Sequence, residues 1–438
     1  MIVCLILPIA GATDIVINPV PSTNGAILLV VDGLGSSYFY PEFVPHDLDG
    51  NELMKAEADN IILIADGGVR VLDVTAPQPK TTPGHSVLAT GYSHANPSIV
   101  GFDDATIFDS AHKHDYLCIA VMQKGDFEAL RAKQDIILFD SSNSLKTPTA
   151  DLEINAQVPA DVIELMKEWQ NSLPGYLEGK EGIERYGAYN RWGIDTSDAI
   201  VRHMCSHYPN QKFLLTVNVG AVDVAGHYRG PEQYVNLVEV LDGDICNLYC
   251  TCFENDLTLI ITADHGMSFR KTENGRYVGG HASGTYVDAV ESRRIPLIIS
   301  GPNVQIGVIN ERHGQEDIAP TLLSILDVTE VLLHSDGGTI PVKKYANLRV
   351  IADSPTEITL QREDVIIYSI TDEDVTFIGL APGEYTISTG RHTMSVNLDS
   401  DQVIEIEASS YDGTVLAAAI ISVIMIGGGL TIREITKE

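Results

Sequence analysis

The chain has 438 residues, 44% of them hydrophobic and 20% charged, with a formal net charge of -32. That length accommodates one large core plus a smaller module, and the composition is that of a globular protein. So acidic a chain repels phosphate backbones, which excludes nucleic-acid binding by broad electrostatics; a phosphate-handling site here needs metal ions to reverse the charge locally.

In chain order, residues 1–13 (MIVCLILPIAGAT) are apolar and end in small residues. They resemble the apolar core and cleavage site of an export signal without its basic start, with a buried strand as the alternative. Next come short apolar runs at Ala26–Val31, Ile61–Ala65, Leu117–Met122, Ile136–Phe139, Phe213–Val219, Leu257–Thr262 and Pro296–Ile299. Runs of this length, rich in Ile, Leu and Val, read as buried strands. Amphipathic stretches at Val158–Asn171, Thr196–His207 and Glu232–Cys246 read as the helices between them. The alternation predicts an α/β/α sandwich with a mostly parallel sheet over residues 14–340.

Of the six cysteines, Cys246, Cys250 and Cys252 cluster near a helix end. No pair has CxxC spacing, which weakens a redox or zinc-ribbon reading; packed free thiols are expected, or a disulfide in an oxidising compartment. From 347 to 408 the texture changes to short alternating runs such as VIIYSI, VTFIGL and TMSVNL. These predict a small all-β sandwich, a packing module without chemistry of its own. Residues 413–432 (GTVLAAAIISVIMIGGGLTI) are uncharged and long enough to span a bilayer, and Arg433 and Lys437 follow them. A C-terminal transmembrane helix with a cytoplasmic tail is the expectation, and a membrane the expected partner.

Acidic and histidine residues recur just after the predicted strands. Asp32 follows AILLVV, Asp223 and His227 follow FLLTVNV, Asp264 and His265 follow LTLIITA, and His281 sits in GGHASG. Ligands at the C-terminal ends of parallel strands converge on one edge of the sheet. Three Asp and three His can hold two divalent ions, Zn²⁺ or Mn²⁺, with open positions for substrate. The segment PKTTPGHSVLATG offers hydroxyls at Thr81 and Thr82 where a helix can begin. There the helix dipole and free N–H groups favour developing negative charge, although a capping threonine has the same signature.

The ordered set VVDG, KTTPGHSVLATG, VDVAGH, TADHG and GGH resembles the alkaline phosphatase superfamily, closest to its nucleotide pyrophosphatase/phosphodiesterase branch. DIAPTLLSIL at 317–326 resembles a late helix of the same superfamily. The resemblance implies Thr81 as nucleophile, one ion on Asp32, Thr81, Asp264 and His265, and a second on Asp223, His227 and His281. His313 is the alternative to His281, and His85 supports the turn. Where diesterases of this branch carry an Asn against a phosphoryl oxygen, the matching stretch SIVGFDDATIFD has Asp103 and Asp104. Asp103 is the expected substrate-side residue, and an awkward one, because a carboxylate repels phosphate. The sulfatase branch fits the nucleophile motif poorly. The phosphoglycerate mutase branch, with its serine nucleophile and long inserted domain, also fits less well. The implied activity is hydrolysis of phosphate esters, as phosphodiesterase or phosphatase, on the outer face of a membrane. Transfer of a phosphoethanolamine-type headgroup, or a non-catalytic adhesion role, are the alternatives.

Overall fold

The computed structural model describes residues 12–142, 144–389 and 392–406. The apolar run 413–432 lies outside them, as does the expected export segment except for Ala12 and Thr13. Among the described residues no helix is long and apolar enough to cross a membrane. The chain forms two compact units. The larger holds Pro21–Val328 and Leu332–Val342; the smaller holds Thr329–Val331 and the described parts of Met1–Val20 and Lys343–Glu438.

β1 (Thr13–Val16) belongs to the smaller unit. The larger unit is built on β2 (Gly25–Val31), β3 (Val69–Thr75), β4 (Leu117–Met122), β5 (Ile136–Asp140), β6 (Ala150–Ile154), β7 (Phe213–Val219), β8 (Thr258–Thr262), β9 (Ser268–Lys271), β10 (Tyr277–Gly280), β11 (Arg294–Ser300) and β12 (Gly307–Gly314). Nine of these make one sheet in the order β12-β3-β11-β8-β2-β7-β4-β5-β6. From β8 to β5 every pairing is parallel. β11 runs against both its neighbours and β6 runs against β5, so the sheet is mixed. Every residue of β2 and β7 is buried, as strands covered on both faces require.

Ile61–Ala65 is not a strand but lies in the helix Asp59–Asp66. Ile61, Ile64 and Ala65 are buried while Leu63 is 68% exposed, which is a helical spacing. The Asp242 carboxylate accepts the N–H groups of Asn60 and Ile61 at 3.2 and 2.7 Å. It thereby satisfies two donors that a helix start leaves orphaned. An apolar run of five residues carries too little periodicity to separate the two conformations. The free cysteines include Cys246, Cys250 and Cys252 on the helix Pro231–Glu254.

In the smaller unit, β13 (Ala346–Arg362), β14 (Val365–Leu380), β15 (Gly383–Thr389), β16 (His392–Leu398) and β17 (Gln402–Ile406) join β1 in one six-stranded sheet. β13 carries it: its first half pairs with β14 and β17, its second half with β14 and β15. A register break between Ile351 and Thr356 separates the halves, so one strand serves two sets of neighbours. β1 adds in parallel to β14, Thr13 opposite Val375. The module therefore recruits residues from the start of the chain as well as from 343 onward.

Candidate metal centre

The chemistry-bearing side chains sit at the C-terminal edge of the parallel strands. Asp32 follows β2, Lys124 follows β4, Asp223 and His227 lie on the helix Ala221–Arg229 after β7, and Asp264 and His265 follow β8. His281 follows β10, and Thr81 opens the helix Thr81–Thr90. Two glycines let these segments close. A Cβ on Gly84 would lie 2.4 Å from the Asp264 carbonyl oxygen, so only glycine brings the threonine helix onto the β8 loop. Gly33, at φ +77°, would place a Cβ 2.9 Å from Asp223 Cα.

Ligand atoms of Asp32, Asp264 and His265 lie within 4.8 Å of one another, as do those of Asp223, His265 and His281. His265 Nε2 is 3.3 Å from Asp32 Oδ1, 3.4 Å from Asp264 Oδ2 and 3.2 Å from Thr81 Oγ1. His227 Nε2 and His281 Nε2 are 3.3 and 3.4 Å from Asp223 Oδ1, and 3.1 Å from each other. The structure thus gathers all seven residues expected to hold ions, in two adjoining sets.

Each imidazole is held by its far nitrogen. Nδ1 of His265, His281 and His227 donates to the carbonyls of Gly266, Pro79 and Gly279 at 2.9, 2.8 and 3.2 Å. A carbonyl only accepts, so Nδ1 carries the proton and Nε2 turns a lone pair toward the carboxylates. Meanwhile Asp32 Oδ1 and Oδ2, Asp223 Oδ1 and Asp264 Oδ2 are buried without a hydrogen-bond partner. Lone pairs facing buried carboxylate oxygens repel unless a cation lies between them. The donor set, imidazole and carboxylate with a hydroxyl at the margin, suits Zn²⁺ or Mn²⁺, and the carbonyls behind the imidazoles are the outer support such ligands use.

The electrostatics agree. Burial pushes the Asp264 carboxyl well above its ordinary range, and neighbouring Asp32 adds to the shift. Asp32 is also raised, chiefly by burial, against the opposing pull of Lys124. For Asp223 burial raises the carboxyl too, but the adjoining His227 and His281 and the Lys124 charge outweigh it, and the balance lies below the ordinary value. Lys124, absent from the sequence-based ligand set, contacts both sides: its Nζ is 2.5 Å from Asp223 Oδ2 and 3.3 Å from Asp32 Oδ2. Burial lowers its pKa, yet the two carboxylates raise it further, so it stays an ammonium. Its signal in the sequence is the position of the metal ligands themselves, just after an apolar strand.

Other expected residues fall elsewhere. Asp103 is exposed in the loop after the helix Pro97–Val100 and is not among the residues lining the cleft over the site. The adjoining Asp104 pairs with Lys113 at 2.9 Å. No carboxylate from this stretch lines that cleft. His313 bonds Asp317 at 3.2 Å on the edge strand β12 and joins neither set. Buried His85 is pushed down to about 3, chiefly by burial, and joins neither set. A third cluster, His112, Cys118 and Asp135, is already satisfied: Asp135 Oδ2 accepts from Cys118 N–H at 2.7 Å and lies 3.1 Å from His112 Nε2.

Residues 24–330 match a family model described as Metalloenzyme superfamily. The 2,3-bisphosphoglycerate-independent phosphoglycerate mutase of Mycoplasmoides gallisepticum (strain R(low / passage 15 / clone 2)) is 30% identical over 164 residues, 37% of this chain and 29% of the mutase. The corresponding mutase of Anaplasma marginale (strain St. Maries) is 25% identical over 120 residues, 27% of this chain and 22% of the mutase. The chain thus spans less than a third of the length of these curated relatives. They lie in the branch that the nucleophile motif favours less. Among solved structures, a mutant of the alkaline phosphatase PafA superposes with TM-score 0.50 at 14% identity, covering 74% of this chain and 100% of that one, a likeness of fold.

Proposed function

The chain belongs to the Metalloenzyme superfamily, and from that premise we propose that it transfers phosphoryl groups from phosphate esters to water through Thr81. The observation that carries the reading is the Thr81 hydroxyl against His265, the imidazole shared by two sets of buried carboxylates whose oxygens include four without a hydrogen-bond partner. Asp32, Asp264, His265 and Thr81 would hold one divalent ion, and Asp223, His227 and His281 the other. When bound, such ions supply positive charge to the phosphoryl oxygens and to the nucleophile.

The residues of the chain do the rest. Thr81 sits in the first turn of its helix, where the dipole and unpaired N–H groups favour negative charge on its oxygen. Its Oγ1 attacks phosphorus and gives up its proton to solvent. The ester oxygen leaves as the alcohol, taking a proton from water, and a phosphothreonine remains. Attack of water on that phosphorus then breaks the Thr81 oxygen–phosphorus bond and releases inorganic phosphate. Lys124, at the wall of the cleft, turns its ammonium toward the same carboxylates and so toward a phosphoryl group seated between them.

Phosphate release from 4-nitrophenyl phosphate is the test. It should be supported by Zn²⁺ or Mn²⁺, stop on chelation and return when the metal is restored; activity indifferent to chelation would remove the metal from the reaction. Lys124→Ala should lower kcat/KM by about 100-fold, or ~3 kcal/mol, with metal content unchanged. A wild-type kcat/KM in that variant would make Lys124 a structural ion-pair partner alone.

The uncharged run 413–432 supports placing the catalytic unit on the outer face of a membrane. Extraction of the full chain only by detergent, with the catalytic unit open to protease on intact cells, is the expected result. Release by salt alone would contradict it.

A further inference from the structure

Resting on the phosphoryl-transfer reading, we propose that this site selects esters whose alcohol carries no second anionic group and lays an aromatic or apolar face on Tyr228. The cleft over the site measures ≈ 550 Å³, room for a small ester beyond its phosphoryl group. Thr81, Asp223, His227 and His281 line its reactive side; Leu145, Val224 and Tyr228 line the remainder together with Asp126.

Among the described residues lining the cleft, Lys124 is the single lysine or arginine, and it faces Asp32, Asp223 and the place of the transferred phosphoryl group. The other charged residue away from the reactive side is acidic. Asp126 is held by Arg131 at 2.8 Å, and Arg131 also bonds Glu153 and covers the Phe139 ring. Two neighbouring arginines have contacts of their own. Arg185 donates to the carbonyls of Leu145 and Leu177, and Arg229 lies over the Tyr186 ring. A carboxylate or second phosphate on the alcohol would therefore meet Asp126 in a lining that offers it no lysine or arginine beyond Lys124.

Tyr228 supplies the opposite preference. It is 78% exposed beside His227, their rings 6.1 Å apart, and among the described residues no hydrogen bond holds this large ring where it lines the cleft. An aromatic alcohol can bury that face, and a small alkyl one cannot. Phosphoglycerate, the substrate class in the names of the mutase relatives, is on these grounds a poor fit to this cleft.

Benzyl phosphate, ethyl phosphate and 3-phosphoglycerate separate the effects, because their leaving alcohols are of similar basicity. With metal-loaded protein kcat/KM should fall in that order, by about tenfold at each step. Tyr228→Ala should erase the benzyl advantage over ethyl, and Tyr228→Phe should keep it. Binding of benzylphosphonate against phosphonoacetate to metal-loaded Thr81→Ala protein reads the same preference without turnover. Tighter benzylphosphonate binding with no hydrolysis of any ester would uphold the selectivity and sink the phosphoryl-transfer reading. Equal use of 3-phosphoglycerate and benzyl phosphate, or an equal loss on both neutral esters in Tyr228→Ala, would overturn the proposal.

Discussion

Thr81→Ala is expected to lower phosphate-ester turnover by about 10⁴-fold or more, some 5 kcal/mol of transition-state stabilisation, while the protein keeps its fold and its metal. The substitution deletes one hydroxyl 3.2 Å from His265 Nε2 and leaves every carboxylate and imidazole of both sets in place. Thr81 makes no cap: the helix begins from Lys80, whose side chain makes no capping bond either. Alanine in a first helical turn costs little, so melting should shift by less than about 1 kcal/mol. Thr81→Ser restores a hydroxyl at the same place and should recover much of the rate. Turnover that survives in Thr81→Ala would mean that water attacks phosphorus directly, and the phosphothreonine would have no part in the reaction.

The second large effect falls on metal and stability together. Asp264 Oδ1 accepts from the N–H groups of Gly33 and His265 at 3.1 and 2.9 Å, whereas Oδ2 has no hydrogen-bond partner and lies 3.4 Å from His265 Nε2. In Asp264→Asn the amide oxygen keeps the first two bonds, and the amide N–H₂ takes the place of the partnerless oxygen, facing the imidazole lone pair. The metal-free variant should therefore melt no lower than metal-free wild type, because one buried charge beside Asp32 is gone. Added Zn²⁺ should stabilise wild type by about 2.7 kcal/mol at a hundredfold excess over its dissociation constant, and the variant by far less. Differential scanning calorimetry with and without chelator reads both numbers. An equal metal-induced shift in the two proteins would place the ion elsewhere.

Most of the site was legible because Asp32, Asp223, Asp264 and His265 follow buried, largely apolar strands. Burial on both faces makes β2, β7 and β8 predominantly Ile, Leu and Val, and the first charged residue afterwards stands at the sheet edge. β3 was not legible, because VRVLDVT carries Arg70 and Asp73 within it. Arg70 is buried with an ion pair to Glu42 at 2.7 Å and its guanidinium over the Tyr40 ring, contacts that no local pattern announces. β1 was hidden for a related reason: its partner on β14 is some 360 residues away, as the Thr13 hydroxyl bonding Asp372 illustrates. Asp103 was misplaced by position in a motif alone; its loop leaves it in solvent. Lys124 was not legible because metal-ligand patterns consist of carboxylates and imidazoles, and an ammonium has no lone pair to offer an ion.

The most direct measurement is elemental analysis of the purified full chain after equilibration with Zn²⁺ or Mn²⁺ and removal of the excess. About two equivalents per chain in wild type, and a clear loss in Asp264→Asn and His281→Ala, is the expected result. A chain that retains no metal, with those variants indistinguishable from it, would contradict the account.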